Sequence, residues 1–258
     1  MGSALSRDTG EEIPRMMRMC AFVPLNVPIL FGMLISPPTI FNTIFWQWFN
    51  QSFNAGLNYG NRNASSPYTT KDLAQGYSAA VGSSVTMALL LRKAFSGLSS
   101  RVTGAKLILI NSVIASLAGG TAGFLNTYFM RRVEMVGGIQ IFEDEALTKK
   151  LPGDLKSKVC ASKAIFETAW SRVFLCISCL MSPAIIFYAF EKAGRTPKSP
   201  ALKLPYEIGV FVFALMVGLP ASIAMFPQSA SARRDELEPE VQVLIHDGIK
   251  TVYYNKGL

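Results

Sequence analysis

Seven Asn or Gln side chains crowd into one stretch, Phe45–Pro67 (FWQWFNQSFNAGLNYGNRNASSP). Gln47, Asn50, Gln51, Asn54, Asn58 and Asn61 recur at three- and four-residue steps, which sets their amides on one helix face. An amide carries donors and an acceptor in one uncharged group. It can therefore meet both ends of a zwitterionic amino acid without the cost of burying an ion. A soluble helix would carry Lys and Glu on its polar face, and this stretch carries neither ahead of Arg62. Asn50, Gln51, Asn54 and Asn58 are thus candidates for a substrate path, with Asn61, Arg62 and Asn63 at its mouth. Arg62, Arg131 or Arg172 can grip a carboxylate bidentately, and Glu134 or Glu167 can face an ammonium. The same amides can instead tie helices together, at about 0.6–2 kcal/mol per bond, and spacing alone fits either role.

The elements that must hold these groups are apolar helices. Half of the 258 residues are hydrophobic and 16% are charged, below the roughly 25% of an ordinary soluble domain. The apolar residues are concentrated rather than scattered: no charge occurs between Met19 and Asn61, and four further uncharged runs follow. Each run is near the length of about 18–20 residues that crosses a hydrocarbon core as helix. The expectation is an all-α polytopic membrane protein forming a single membrane domain over 1–258. It has about five spans, near 22–49, 73–91, 107–130, 168–190 and 206–227. Pro24, Pro28, Pro37 and Pro38 break the first span, because each removes a backbone donor. Discontinuous helices of this kind hold binding sites in transporters.

Two ridges of small residues predict close helix contacts: Gly76, Ala80, Ser84 and Ala88 in span two, and Ala115, Gly119 and Gly123 in span three. The polar loop 131–163 contains a short hairpin-like excursion, Val136–Glu145 (VGGIQIFEDE). The tail 233–258 reads as a polar surface helix. Lys and Arg divide almost evenly between the two sides of a five-span chain, so charge does not decide its orientation.

Several function classes drop out. The net charge of +8 suits juxtamembrane contact with anionic lipid. No aromatic–basic pattern or zinc motif points to nucleic acid. With one His, and four Cys of which Cys176 and Cys179 lie inside an apolar run, no metal-ligand set or histidine triad emerges. Those two cysteines are expected as buried thiols. There is no GxSxG, Walker loop, GxGxxG or HExxH, so neither an enzyme nor a cofactor is expected. The first 18 residues lack the apolar core of a signal peptide, although Met1–Ser6 fits a myristoylation pattern.

The amide-rich stretch Phe45–Pro67 closely resembles the sideroflexin signature, FWQW-x-NQS-x-NA followed by NY-x-NRNA. The resemblance continues in order through Asp8-Thr9-Gly10-Glu11, Met130-Arg131 with Glu134, Ser171-Arg172, Phe226-Pro227-Gln228 and Asn255-Lys256-Gly257-Leu258. It implies a five-span protein of the mitochondrial inner membrane that transports serine or a related small neutral amino acid for one-carbon metabolism. Family members carry a further soluble segment ahead of the first motif, often reaching it through His-Pro, where this sequence has Ser6-Arg7. Met181-Ser182-Pro183 stands where many have Ala-Pro-Gly. The short start motivates an alternative, an accessory or assembly subunit of a respiratory-chain complex. An older family label points to iron, for which this sequence has no ligand set.

Overall fold

The computed structural model describes residues 12–60, 70–151, 154–246 and 248–256. The apolar runs become helices α1 (Phe22–Leu34), α2 (Ile40–Gly60), α3 (Thr70–Ala94), the single turn α4 (Ser96–Ser99), α5 (Ala105–Gly137), α6 (Lys158–Lys192) and α7 (Pro200–Met225). A short helix α8 (Pro239–Leu244) follows. Four strands lie among the described residues: β1 (Ile139–Phe142), β2 (Lys156–Ser157), β3 (Ser229–Arg233) and β4 (Thr251–Asn255).

Among the described residues, three helices are long and apolar enough to cross a membrane: α5, α6 and the Pro200–Ser222 part of α7. α2 and α3 carry too many amides, hydroxyls and charges to qualify on hydropathy alone. Much of their polarity faces inward, as buried Thr43, Gln47, Asn50, Gln51 and Ser84 illustrate. Bulky apolar side chains such as Phe41, Trp48, Trp170, Phe213 and Met216 instead stand exposed on the outside of the bundle, the surface that hydrocarbon would cover.

The first span is broken as its prolines require. α1 absorbs Pro28 but stops at Leu34, and Ile35–Thr39, containing Pro37-Pro38, forms an elbow. Thr39 restarts the helix: its Oγ1 accepts from Asn42 N at 3.1 Å and its carbonyl from Thr43 N at 3.0 Å.

The ridges act as helix seats. Ala80, Ser84 and Ala88 are buried, and a methyl at Gly76 would come within 2.7 Å of Met130 Cγ on α5. On the other face of α5, Gly119, Gly120 and Gly123 lie against Cys176, Val173 and Arg172 of α6. Ser112 Oγ donates to the Leu180 carbonyl at 2.5 Å, pinning the same pair of helices. The main core joins Leu30, Met33 and Leu34 of α1, Ala115 of α5, Leu180 and Phe187 of α6, and Phe211 and Leu215 of α7. Cys160 and Cys179 are buried and Cys176 is half-buried, all as free thiols.

The tail corrects the expectation of a surface helix and of an all-α fold. Residues 229–233 and 251–255 are antiparallel strands, with a single 3-10 turn (Arg234–Glu236) and the short α8 described between them. The sheet order is β2-β1-β4-β3, so the excursion at 139–142 is covered by the last strand. Val252 and Tyr254 alternate inward and pack with Ile141, Leu151, Ala232 and Leu237 in a second core. The loop expected over 131–163 is also shorter, since α5 runs to Gly137 and α6 starts at Lys158. Gly138 makes the exit from α5 at φ +74°, where a side chain would also meet Lys156 Cβ at 3.0 Å.

Candidate functional site

The elbow between α1 and α2 bounds a small polar cavity inside the bundle. Met33, Ser36, Asn42, Thr43, Trp46 and Gln47 line it from the first two helices. Ala88 and Arg92 of α3, with Asn111 and Ala115 of α5, close the other side. Its volume is about 20 Å³, room for roughly one water.

Asn111, itself 2% exposed, bridges the walls. Its Nδ2 donates to the Leu34 carbonyl at 2.9 Å, taking up a carbonyl left free where α1 ends. Its Oδ1 accepts from Arg92 Nη1 at 3.2 Å. Two lining atoms are buried without a hydrogen-bond partner among the described residues: Gln47 Oε1 and Arg92 Nε. An orphaned buried polar atom costs about 1–3 kcal/mol, more for a charged group, so two beside one cavity need a reason. Chemically, the cavity offers a cationic N–H donor and an amide oxygen acceptor in one enclosed space.

The amide face of α2 leads away from this cavity. Gln47, Asn50 and Gln51 are buried and Asn54 is half-buried. Asn54 Nδ2 lies 3.4 Å from Asn50 Oδ1. Ser52 Oγ meets Tyr77 OH of α3 at 2.9 Å, fixing the rotation of α2 against its neighbour. The side chain of Asn58 and residues Asn61, Arg62 and Asn63 lie outside the described residues.

The remaining sequence candidates gather at the other end of α5 and α6, where they hold the tail. Arg131 pairs with Glu134 at 2.6 Å, and its Nη1 donates to the Lys256 carbonyl and to Thr168 Oγ1. Lys256 Nζ lies 2.7 Å from Glu167 Oε2. Arg131, Glu134 and Glu167 are therefore brought together, but around the chain's own last strand. Arg172 is one turn away on α6, beside Gly123, and makes no hydrogen bond or ion pair among the described residues.

A second set of contacts secures the small head formed by β1–β4 and α8 at this end of α5 and α6. Ser157 Oγ caps α6 by accepting from Cys160 N at 3.1 Å, and donates to Glu238 Oε2 at 2.8 Å. Glu238 also accepts from the backbone N–H of Lys158 and Val159, placing a carboxylate at the positive end of α6. Burial opposes ionisation of Glu238, yet the hydrogen bonds from backbone and Ser157 outweigh it and hold its pKa below the ordinary value. Hydrogen bonds from Lys163 and then Arg233 lower that of Glu236.

Arg92 and Asn111 were not among the residues that sequence spacing singled out. Arg92 reads as a loop charge at the end of an uncharged run, and Asn111 is a lone amide in an apolar stretch, LILINSVIASL. A polar group inside a membrane run is itself a signal, since it is costly unless used.

A model of the family described as Sideroflexins matches residues 1–258. The chain is 35% identical over 269 residues to a protein named Sideroflexin from Dictyostelium discoideum, covering 100% of this chain and 78% of the relative. It is 36% identical over 258 residues to Sideroflexin-5 of Homo sapiens, covering 98% and 72%. It is 35% identical over 263 residues to Sideroflexin-3 of Homo sapiens, covering 99% and 77%. No solved structure matches the chain.

Proposed function

The chain belongs to the sideroflexin family, and we propose that it carries serine or a related small neutral amino acid across the mitochondrial inner membrane, feeding one-carbon metabolism. The supporting observation is the pairing of a broken α1–α2 helix with the buried amide face of α2, which begins at the elbow cavity. A helix break lined by polar groups and uncharged amides along the following helix suit a polar but neutral cargo. In this reading Gln47, Asn50, Gln51 and Asn54 line the path, with Asn58, Asn61, Arg62 and Asn63 continuing it. Arg131, Glu134 and Glu167 serve the tail instead. The exposed basic residues of the head meet anionic lipid. The activity is transport and not catalysis.

The test is radiolabelled serine uptake into proteoliposomes holding the purified chain. Saturable uptake that Asn54→Ala reduces at least tenfold, with the variant folded and inserted, supports the carrier. No uptake by well-inserted wild-type protein overturns it.

A further inference from the structure

We infer that the elbow cavity is a carboxylate-binding subsite in which Arg92 grips the carboxylate of a small amino acid and Gln47 Oε1 accepts from its ammonium. This assignment rests on the carrier reading and gives it a chemistry. Three observations carry it. Arg92 Nε and Gln47 Oε1 are both buried without partners among the described residues, and both line the same cavity. Gln47 is 4% exposed, so its oxygen has no bulk solvent to satisfy it. The two atoms are also opposite in kind, a cationic donor and a neutral acceptor, which is the polarity pattern of a zwitterion.

A guanidinium suits this task better than an ammonium, because its planar fork meets both oxygens of a carboxylate. Among the described residues, the cavity lining contains no Asp or Glu to partner the cation. Arg92 is held, among the described residues, by Asn111 Oδ1, a neutral acceptor that supplies no counter-charge. A bound carboxylate would supply the missing anion.

The arrangement further ties the ligand to the elbow. Asn111 joins Arg92 on one side to the Leu34 carbonyl on the other. The space at hand admits about one water, so an amino acid enters only when the elbow moves. Drawing Arg92 towards a carboxylate takes its Nη1 from Asn111, which loosens the grip of Asn111 on the end of α1. Ligand binding and movement of α1 against α2 are then one event. Trp46, which lines the cavity, limits the side chain to small groups.

The experiment measures equilibrium binding of serine, and of ethanolamine as the analogue lacking the carboxylate, to the full chain in nanodiscs. Wild type, Arg92→Lys and Arg92→Gln are compared. Serine affinity should fall at least thirtyfold in Arg92→Gln and less in Arg92→Lys, while the weaker binding of ethanolamine is unchanged in all three. Emission from Trp46, with Trp48 and Trp170 replaced by Phe, should shift on adding serine to otherwise wild-type protein, a readout independent of how the Arg92 variants fold. Unchanged serine affinity in Arg92→Gln, or a silent Trp46 at saturating serine, overturns the subsite. Serine uptake that survives Arg92→Gln but not Asn54→Ala would sink the subsite and leave the carrier standing. Arg92-dependent serine binding without uptake would do the reverse.

Discussion

Gly32 lies directly against the indole of Trp46: a methyl group on Gly32 would stand 1.9 Å from Trp46 Cε2. The two residues face each other across the elbow, one on each arm, and both line the cavity. Trp46 is further held edge-on by Phe45, with ring centroids 5.1 Å apart, and by Phe49. It has little room to retreat. Gly32→Ala should therefore force the arms apart and cost about 1–3 kcal/mol, as overpacking does. Thermal unfolding in detergent, read with Trp46 emission, checks this; an unshifted transition would mean that the indole yields freely.

Arg131 should behave as an anchor and not as a substrate ligand. Its guanidinium is committed to Glu134, Thr168 and the Lys256 carbonyl. Arg131→Gln removes the guanidinium from a largely buried ion pair with Glu134, a loss of about 3 kcal/mol. Limited proteolysis should then cut within 229–255 while the bundle stays intact. The serine KM of protein that remains inserted should be unchanged, and a large rise in KM would return Arg131 to the substrate path.

The head should loosen in acid. The folded-state pKa of Glu238 is depressed, as is that of Glu236. Their contribution is present above the ordinary glutamate value of 4.5 and is lost as pH falls through the lower folded values. Hydrogen exchange of β3 and β4 should therefore accelerate below about pH 4.5. Glu238→Gln should remove part of that dependence and cost about 1 kcal/mol at neutral pH, the scale of a lost helix cap. A pH profile identical in wild type and variant would assign the acid response elsewhere.

Gly76 sets the spacing of α3 on α5. A side chain there meets Met130 Cγ at 2.7 Å and Asn126 Oδ1 at 2.8 Å. Gly76→Val should cost about 2–3 kcal/mol, because β-branching leaves few rotamers to escape into. Gly82, whose missing Cβ would meet nothing within 4 Å, is the matched control, and Gly82→Val should change stability far less. Equal losses at both positions would point to helix propensity and not to packing.

The features legible in the sequence were those written locally. Helix period, the two small-residue ridges and the proline elbow each depend on neighbours a few residues away, and each is found where spacing put it. The amide face of α2 was legible for the same reason, and the lack of charge on it pointed inward, where Gln47, Asn50 and Gln51 are buried. The tail was misread because its polarity suggested a surface helix. Its signal was Thr251-Val252-Tyr253-Tyr254, a β-branched and aromatic run with inward alternation. What no local pattern could disclose is pairing at long range. Arg92 meets Asn111, Arg131 meets Lys256 and Glu238 meets the start of α6 only once the helices are packed. Reading charges by loop placed Arg92 outside the bundle, whereas its Nε is buried.

The strand order β2-β1-β4-β3 sets a timetable. A ribosome delivers β4 after β1, β2 and β3, yet β4 is the inner strand that both β1 and β3 require. Until Thr251–Asn255 has emerged, Ile141 and Ala232 have no shared neighbour to cover them. Lys256 then seals the assembly by engaging Glu167 and, through its carbonyl, Arg131. A nascent chain stopped short of Thr251 would display unpaired strand edges and leave Arg131 without the Lys256 carbonyl, features by which quality-control proteases could single it out.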